Sequence, residues 1–276
     1  MLRDVLGAST EYLEKKGVPS PRVDAEHLLA RALGLSRVEL YTSYDRPLTE
    51  AELAACRPLV ERRGRREPLA YVLGEWGFRR LTLSVDRRVL VPRPETEIVV
   101  ERCLALLAEL EEPRVLDVGT GSGAIALAIA DEHPGALVTA IDSSREALEL
   151  ARENAEATGL AARVELVEHD LASGLQGGPF DLVVSNPPYV EPDEIDSLAP
   201  EVRDWEPRAA LVGRGLTEAV ARGARDVLRA EGWLVLEVGD GQAAGTAALL
   251  ASLDYRTITI TPDLGGRDRV VEGRWS

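Results

Sequence analysis

The residues best suited to chemistry are Asn186-Pro187-Pro188-Tyr189, which end an apolar run over 180–185. Neither proline can donate a ladder hydrogen bond, so the run reads as a buried strand that stops abruptly. Asn186 precedes a proline and is pushed toward extended backbone. An amide or aniline-like NH2 is a poor nucleophile because its lone pair is delocalised. To make it attack, a site should accept both N–H hydrogens and aim no competing donor at the nitrogen. Asn186 supplies a side-chain carbonyl. Pro187 supplies a backbone carbonyl, and Pro187 and Pro188 together delete two backbone N–H donors at that spot. Tyr189 offers a flat face to a planar substrate group. Taken alone, the tetrapeptide also reads as a strand-ending turn whose Asn bonds its own backbone.

A second stretch, Val115-Leu116-Asp117-Val118-Gly119-Thr120-Gly121-Ser122-Gly123, runs from strand into loop into helix. Alternate glycines let backbone approach a ligand with no side chain in the way. The pattern is Gly-x-Gly-x-Gly, not the Gly-x-Gly-x-x-Gly of dinucleotide binders. Asp117 stands at the strand end, poised to accept from a ligand ammonium, with Thr120 and Ser122 between the glycines. Asp142 ends the next strand, where a carboxylate accepts from both hydroxyls of a ribose; capping the helix at Ser144 is its other reading. Asp170 and Leu171 follow the third strand, placed for an adenine amino group and ring face, or simply for opening a turn. A glycine loop, an amino-acid-binding acid and a ribose acid, with no Lys for phosphate, fit S-adenosylmethionine better than NAD.

These residues need a doubly wound α/β frame. From residue 113 onward strands and helices alternate, which predicts a parallel sheet with helices on both faces. The strands are expected at 114–118, 136–141, 164–167, 180–185 and 233–238. The helices are expected at 98–110, 121–131, 144–158, 216–230 and 242–253. Two more strands, 255–260 and 269–273, turn at Gly265-Gly266 and add an antiparallel hairpin. Residues 1–74 show only helical spacing and predict a small helical bundle: Ser20-Pro21 opens one helix that Gly34 stops, and Thr49 with Glu52 forms a capping box for another over 51–63. Residues 75–92 alternate apolar and polar positions and read as a β-hairpin linker. The expected organisation is therefore a helical domain over 1–74, the linker over 75–92 and the catalytic domain over 93–276.

Composition sets the remaining bounds. With 276 residues, 45% of them hydrophobic and 29% charged, the chain reads as an ordinary globular protein. The N-terminus lacks an apolar signal core and no apolar run is long enough to span a bilayer, so a cytoplasmic location is expected. Cys56 and Cys103 read as reduced thiols, and His27, His133 and His169 form no ligand pattern, so no metal is expected. The formal charge is −15. Residues 1–92 carry 16 Lys and Arg against 13 Asp and Glu; the rest carry 16 against 34. An acidic catalytic half suits nucleic acid poorly. The run Arg62-Arg63-Gly64-Arg65-Arg66 reads as a solvated basic loop, with RNA or an acidic protein as the other reading.

The chain resembles the class I S-adenosylmethionine-dependent methyltransferases. Within them it resembles the protein-(glutamine-N5) methyltransferases that modify bacterial peptide chain release factors. The resemblance rests on Glu67-Pro68-Leu69-Ala70-Tyr71 with Gly74, Val91-Pro92-Arg93-Pro94-Glu95-Thr96-Glu97, the glycine loop, Asn186-Pro187-Pro188-Tyr189 and Gly266-Arg267-Asp268-Arg269-Val270. Asn-Pro-Pro-Tyr alone is shared with adenine-N6 DNA methyltransferases; the Pro-Arg-Pro-Glu-Thr-Glu stretch is more selective. Leu171 stands where some relatives carry Trp. The resemblance implies methylation of the glutamine amide in a release factor's Gly-Gly-Gln motif. Asn186 and Pro187 would hold the amide hydrogens, Tyr189 would pack on the amide plane, and the N-terminal domain would help dock the release factor. A ribosomal-protein glutamine, a nucleobase amino group, or a non-catalytic cofactor-binding module are the alternatives.

Overall fold

Five helices at the N-terminal end build most of the first compact unit of the computed structural model, which describes residues 1–276: α1 (Leu2–Lys15), α2 (Pro21–Leu33), α3 (Arg37–Thr42), α4 (Glu50–Gly64) and α5 (Leu69–Leu73). The unit comprises Met1–Glu75 together with the distant segment Leu198–Trp205. Leu2, Leu6 and Leu13 recur on one face of α1 and pack with Leu28, Leu29 and Val60 in its core. Pro21 opens α2, and Gly34, at φ 64°, closes it in the left-handed region. The Thr49–Glu52 capping box is present: Thr49 N–H donates to Glu52 Oε2 at 2.8 Å, and the Thr49 hydroxyl accepts from Glu52 N–H at 3.3 Å. Ser36 and Glu39 form a second box of the same spacing, which opens α3.

The basic run is not a solvated loop. It lies at the end of α4, where Arg62 bonds both oxygens of Glu67. Arg63 is buried and reaches Asp24 at 2.6 Å and Glu201 at 2.9 Å, and Arg66 grips both oxygens of Glu201. Only Arg65 stays exposed. Helical spacing rotates successive arginines around the axis, and acids distant in sequence meet them.

The second unit comprises Trp76–Ser197 and Glu206–Ser276. Its entrance is the hairpin β1 (Glu75–Phe78) and β2 (Leu81–Ser84), turned by Arg79 at φ 53°. Arg79 fastens the turn to Glu132 with two bonds of 2.6 and 2.7 Å. Residues 85–92 then run without regular structure. The alternating portion follows: α6 (Thr96–Leu107), β3 (Arg114–Val118), α7 (Ala124–Glu132), β4 (Leu137–Asp142), α8 (Arg145–Ala157), β5 (Val164–Glu168) and β6 (Phe180–Ser185). After two one-turn helices, α9 (Pro200–Arg203) in the first unit and α10 (Arg208–Leu211), come α11 (Leu216–Val227), β7 (Leu228–Glu237), α12 (Ala243–Ser252), β8 (Arg256–Pro262) and β9 (Asp268–Arg274).

The sheet order is β5-β4-β3-β6-β7-β9-β8. The first five strands are parallel, and β9 and β8 are antiparallel additions. The chain winds outward from β3 to β5 and then returns to β6 on the other side of β3. In open α/β sheets ligands bind at the carboxyl ends of strands where the winding reverses. β3 ends in the glycine loop and β6 ends in Asn186, and Val118 pairs with Ser185, so the two motifs leave the sheet side by side. Each strand of this pair is buried along nearly its whole length, with apolar residues toward cores on both faces.

Two element ends depart from expectation for a reason the backbone shows. α7 begins at Ala124, not at residue 121, because Gly121 and Gly123 hold φ of 56° and 83° and leave the loop open. β7 begins at Leu228, inside the stretch expected as helix to 230. There Glu231 at φ 67° and Gly232 shift the register between Phe180 and Leu182, and helical periodicity alone cannot see such a bulge. No helix is long and apolar enough to cross a membrane.

Candidate active site

A cleft of about 280 Å³ opens at the β3–β6 switch point. Gly119, Thr120, Gly121 and Ser122 line it from the loop after β3, Asp142 from the end of β4, and Asp170 with Leu171 from the turn after β5. Asn186, Pro187 and Pro188 line it from the end of β6. The irregular stretch 88–93 and Thr96 complete one wall, and Pro207, Ala209 and Ala210 another. Asp117, Gly123 and Tyr189 are not among its lining residues. Gly123 turns the chain into α7, where a side chain would meet Leu127 and Ala151.

Asp117 lies fully buried beneath the loop. Its Oδ2 accepts from the Thr120 hydroxyl at 2.7 Å, while Oδ1 has no donor. Burial pushes its carboxyl up to about 7, against the Thr120 bond. A buried carboxylate oxygen without a donor is costly unless a ligand supplies one. Asp142 makes the helix-start contact expected of it, and a second one to the glycine loop. Its Oδ1 accepts from Ser144 N–H and its Oδ2 from Gly121 N–H, each at 2.9 Å. It thereby ties the glycine loop to the helix start, while Ser144 itself caps α8 through Ala147 N–H. Each oxygen keeps a second acceptor lone pair, and the residue lines the cleft. Asp170 likewise opens a turn, with Oδ1 accepting from Ala172 N–H at 2.9 Å, and stays exposed at the cleft.

At the β6 corner, Asn186 is half-buried and its Nδ2 donates to Thr96 Oγ1 at 3.4 Å. Its Oδ1 takes no hydrogen bond from the chain, and the residue lines the cleft. The Pro187 carbonyl makes no backbone hydrogen bond. The corner is clamped from behind: Val190 N–H donates to the Leu211 carbonyl at 3.0 Å, and the Pro188 carbonyl occupies the space a side chain at Gly213 would need. Tyr189 sits behind Pro188. Its ring lies 3.0 Å from where a Gly239 side chain would begin, and its carbonyl accepts from Gln242 at 3.0 Å.

Three further residues carry weight here. Thr96 belongs to the Pro-Arg-Pro-Glu-Thr-Glu stretch, whose Glu-Thr-Glu reads from the sequence only as the opening of a helix. Glu237 ends β7 after Leu234-Val235-Leu236, the same strand-end acid signal that marked Asp117 and Asp142. Its carboxyl is buried, one oxygen has no donor, and burial pushes it up to about 7. Asn154 on α8 bonds both backbone groups of Ser84 and the Ser122 carbonyl, pinning the glycine loop. Nothing in the local sequence distinguishes it.

The residues present fit S-adenosyl-L-methionine. The unpartnered Asp117 oxygen suits an ammonium, Asp142 a ribose, the open glycine backbone the chain between them, and Leu171 with Asp170 an adenine. Comparison with known proteins agrees in kind. Residues 4–74 match the family described as PrmC N-terminal domain, and residues 98–202 the Methyltransferase small domain. The chain is 44% identical to the release factor glutamine methyltransferase of Geobacter sulfurreducens, over 99% of this chain and 96% of that protein. It is 44% identical to the one from Xylella fastidiosa strain Temecula1, over 98% and 96%. Among solved structures, a methyltransferase from Pyrococcus furiosus shares the fold, with a TM-score of 0.50 at 19% identity over 70% of this chain and 87% of that one. With full-length relatives at this level of identity, the chain belongs to the release factor glutamine methyltransferase family.

Proposed function

We propose that this enzyme methylates the side-chain nitrogen N5 of the glutamine in the Gly-Gly-Gln motif of a peptide chain release factor. The observation that supports the reading is the Asn186 carboxamide at the cleft beside the glycine loop: its amino group donates to Thr96 and its carbonyl is left without a donor from the chain. That carbonyl and the Pro187 carbonyl accept the two N–H hydrogens of the substrate amide. They hold its plane and shift electron density toward nitrogen. The prolines keep competing N–H donors away, and Tyr189, packed on Gly239, buttresses the rim. When bound, S-adenosylmethionine would supply the methyl on its sulfonium: the amide nitrogen would form the new N–C bond, sulfur would keep the electron pair of the broken C–S bond, and one amide proton would pass to solvent water. Asp117, Asp142, Asp170 and Leu171 hold the donor, with the backbone of 119–123 between them. Positioning and preorganised acceptors carry the rate, with no strong base required. The helical domain, residues 1–74, serves to dock the release factor.

The test is a mass spectrum of a release factor incubated with the enzyme and labelled S-adenosylmethionine. The Gly-Gly-Gln peptide should gain one methyl on glutamine, and a Gly-Gly-Glu variant should gain none. Asn186→Ala should lower kcat about 10²–10³-fold with cofactor affinity unchanged. An unmodified Gly-Gly-Gln peptide on a competent release factor would sink the assignment.

A further inference from the structure

One hydrogen bond, from Asn186 Nδ2 to Thr96, sets which end of the carboxamide stays free. A primary amide has a donor end and an acceptor end of the same shape, and either can face a substrate. Presenting Nδ2 instead of Oδ1 would aim a donor at the nitrogen that must attack. The choice is therefore catalytic, and Asn186 does not make it alone.

Strand register places Glu237 next to this corner. Ser185 pairs with Leu236, so the following residues, Asn186 and Glu237, stand at the same level on neighbouring strands. Thr96, buried at the start of α6, contacts both. Its side chain stands beside the Glu237 carboxyl and favours the ionised form, and its Oγ1 lies 3.4 Å from Asn186 Nδ2. A hydroxyl has a single proton. When Glu237 is ionised it can only accept, so it takes that proton, and Oγ1 is left to accept from Asn186. When Glu237 is protonated it can donate to Oγ1. The Thr96 proton is then free to bond Asn186 Oδ1 and turn the amide the wrong way.

We propose that Thr96 and Glu237 are positioning residues that fix the Asn186 carboxamide with its carbonyl toward the substrate, an inference that rests on the function proposed above. It also gives a physical role to the Pro-Arg-Pro-Glu-Thr-Glu stretch. Arg93 is held by both oxygens of buried Glu206 at 2.6 and 2.7 Å, which fixes the approach to α6 and hence Thr96. The charges facing Glu237 are Arg269 on β9, Arg93 and Glu95 before α6, and the Tyr189 phenol after β6. Arg269 favours the ionised carboxylate and is itself held by the Val238 carbonyl at 3.1 Å and by Asp263 at 3.4 Å. Burial outweighs it, so the carboxyl titrates at about 7 and the orientation is lost on the acid side.

Two measurements test this. In the first, kcat on a release factor is followed from pH 5.5 to 8.5 at saturating substrate and cofactor. The wild type should lose kcat below about pH 7, and Glu237→Gln should lack that acid limb. Thr96→Ser should stay within about threefold of wild type. Thr96→Val should lose about 10–100-fold in kcat, with KM and cofactor affinity nearly unchanged. Wild-type kcat in Thr96→Val, or the same acid limb in Glu237→Gln, overturns the proposal. The second needs no substrate and stands if the functional reading fails. The side-chain ¹⁵N–H signals of Asn186, assigned by their loss in Asn186→Ala, should titrate near neutrality in the wild type and not in Glu237→Gln. Identical titration in both proteins overturns it, and this variant keeps the question decidable if Thr96→Val does not fold.

Discussion

In the helical unit, buried Arg63 gives Nε to Asp24, Nη2 to Glu201 and Nη1 to the Glu67 carbonyl. In the sheet unit, Asp117 and Glu237 are at least as buried, yet each keeps one carboxylate oxygen without a donor. Both arrangements place charge away from water, which is expensive unless partners replace the lost hydration. The first supplies those partners from within the chain and serves stability. The second leaves them out, so the folded state bears a cost that protonation of the carboxyl relieves. Unpartnered buried acids at strand ends therefore mark where the fold gives up stability for function.

The largest way to break the contrast is Arg63→Ala. It strands Asp24 and removes one of the two arginines on Glu201, and should cost about 3–5 kcal/mol in urea unfolding. Arg65→Ala, on the exposed neighbour, should change stability by less than about 0.5 kcal/mol. Equal effects at the two positions would show that the network contributes nothing beyond a solvated basic run.

That network was illegible in the sequence for a definite reason. Four arginines within five residues look alike whether solvated or paired, and Glu201 lies 138 positions from Arg63. The sheet was legible because its strands are buried on both faces and read as unbroken apolar runs between helices of clear period. The glycine loop, Asp142 and Asn186 were legible because each sits at a strand end, where chain order alone sets the position. Thr96 was not, since its meaning comes from a partner ninety residues away. Glu237 carried the same strand-end signal as Asp117, but no ligand group called for a third acid. The bulge before β7 escaped because Glu231 adopts a backbone conformation that its residue type does not announce.

A second, smaller effect sharpens the contrast through its sign. The unfolded Asp117 carboxyl titrates near 3.9, the folded one at about 7. Between these values the folded state holds the extra proton, so stability falls as pH rises and the loss is complete above about 7. Asp117→Asn cannot ionise. It should be about 1–3 kcal/mol more stable than wild type at pH 8 and no more stable at pH 4. It should also lose the stabilisation that S-adenosylmethionine gives the wild type in a thermal melt. A variant destabilised at pH 8 would mean that the buried charge is satisfied after all.

The helical unit should show the opposite sign, with the smallest effect. Burial alone would raise the Glu26 carboxyl, but hydrogen bonds from Arg37, Tyr41 and Arg22 outweigh it and hold it at about 2. A depressed carboxylate contributes stability that is fully present above its unfolded value near 4.3 and fades as pH falls toward 2. Arg22 and Arg37 are 47% and 43% exposed, so solvent screens much of the pairing and about 1 kcal/mol is expected. Urea midpoints of wild type and Glu26→Gln should differ by a constant amount from pH 8 to 5 and converge below about pH 4. Acidification from pH 8 to 5 should then relieve Asp117 and Glu237 while leaving Glu26 untouched. A gap between wild type and Glu26→Gln that closes already between pH 7 and 5 would mean that Glu26, too, is held as an unsatisfied acid, and the distinction between the two units would fail.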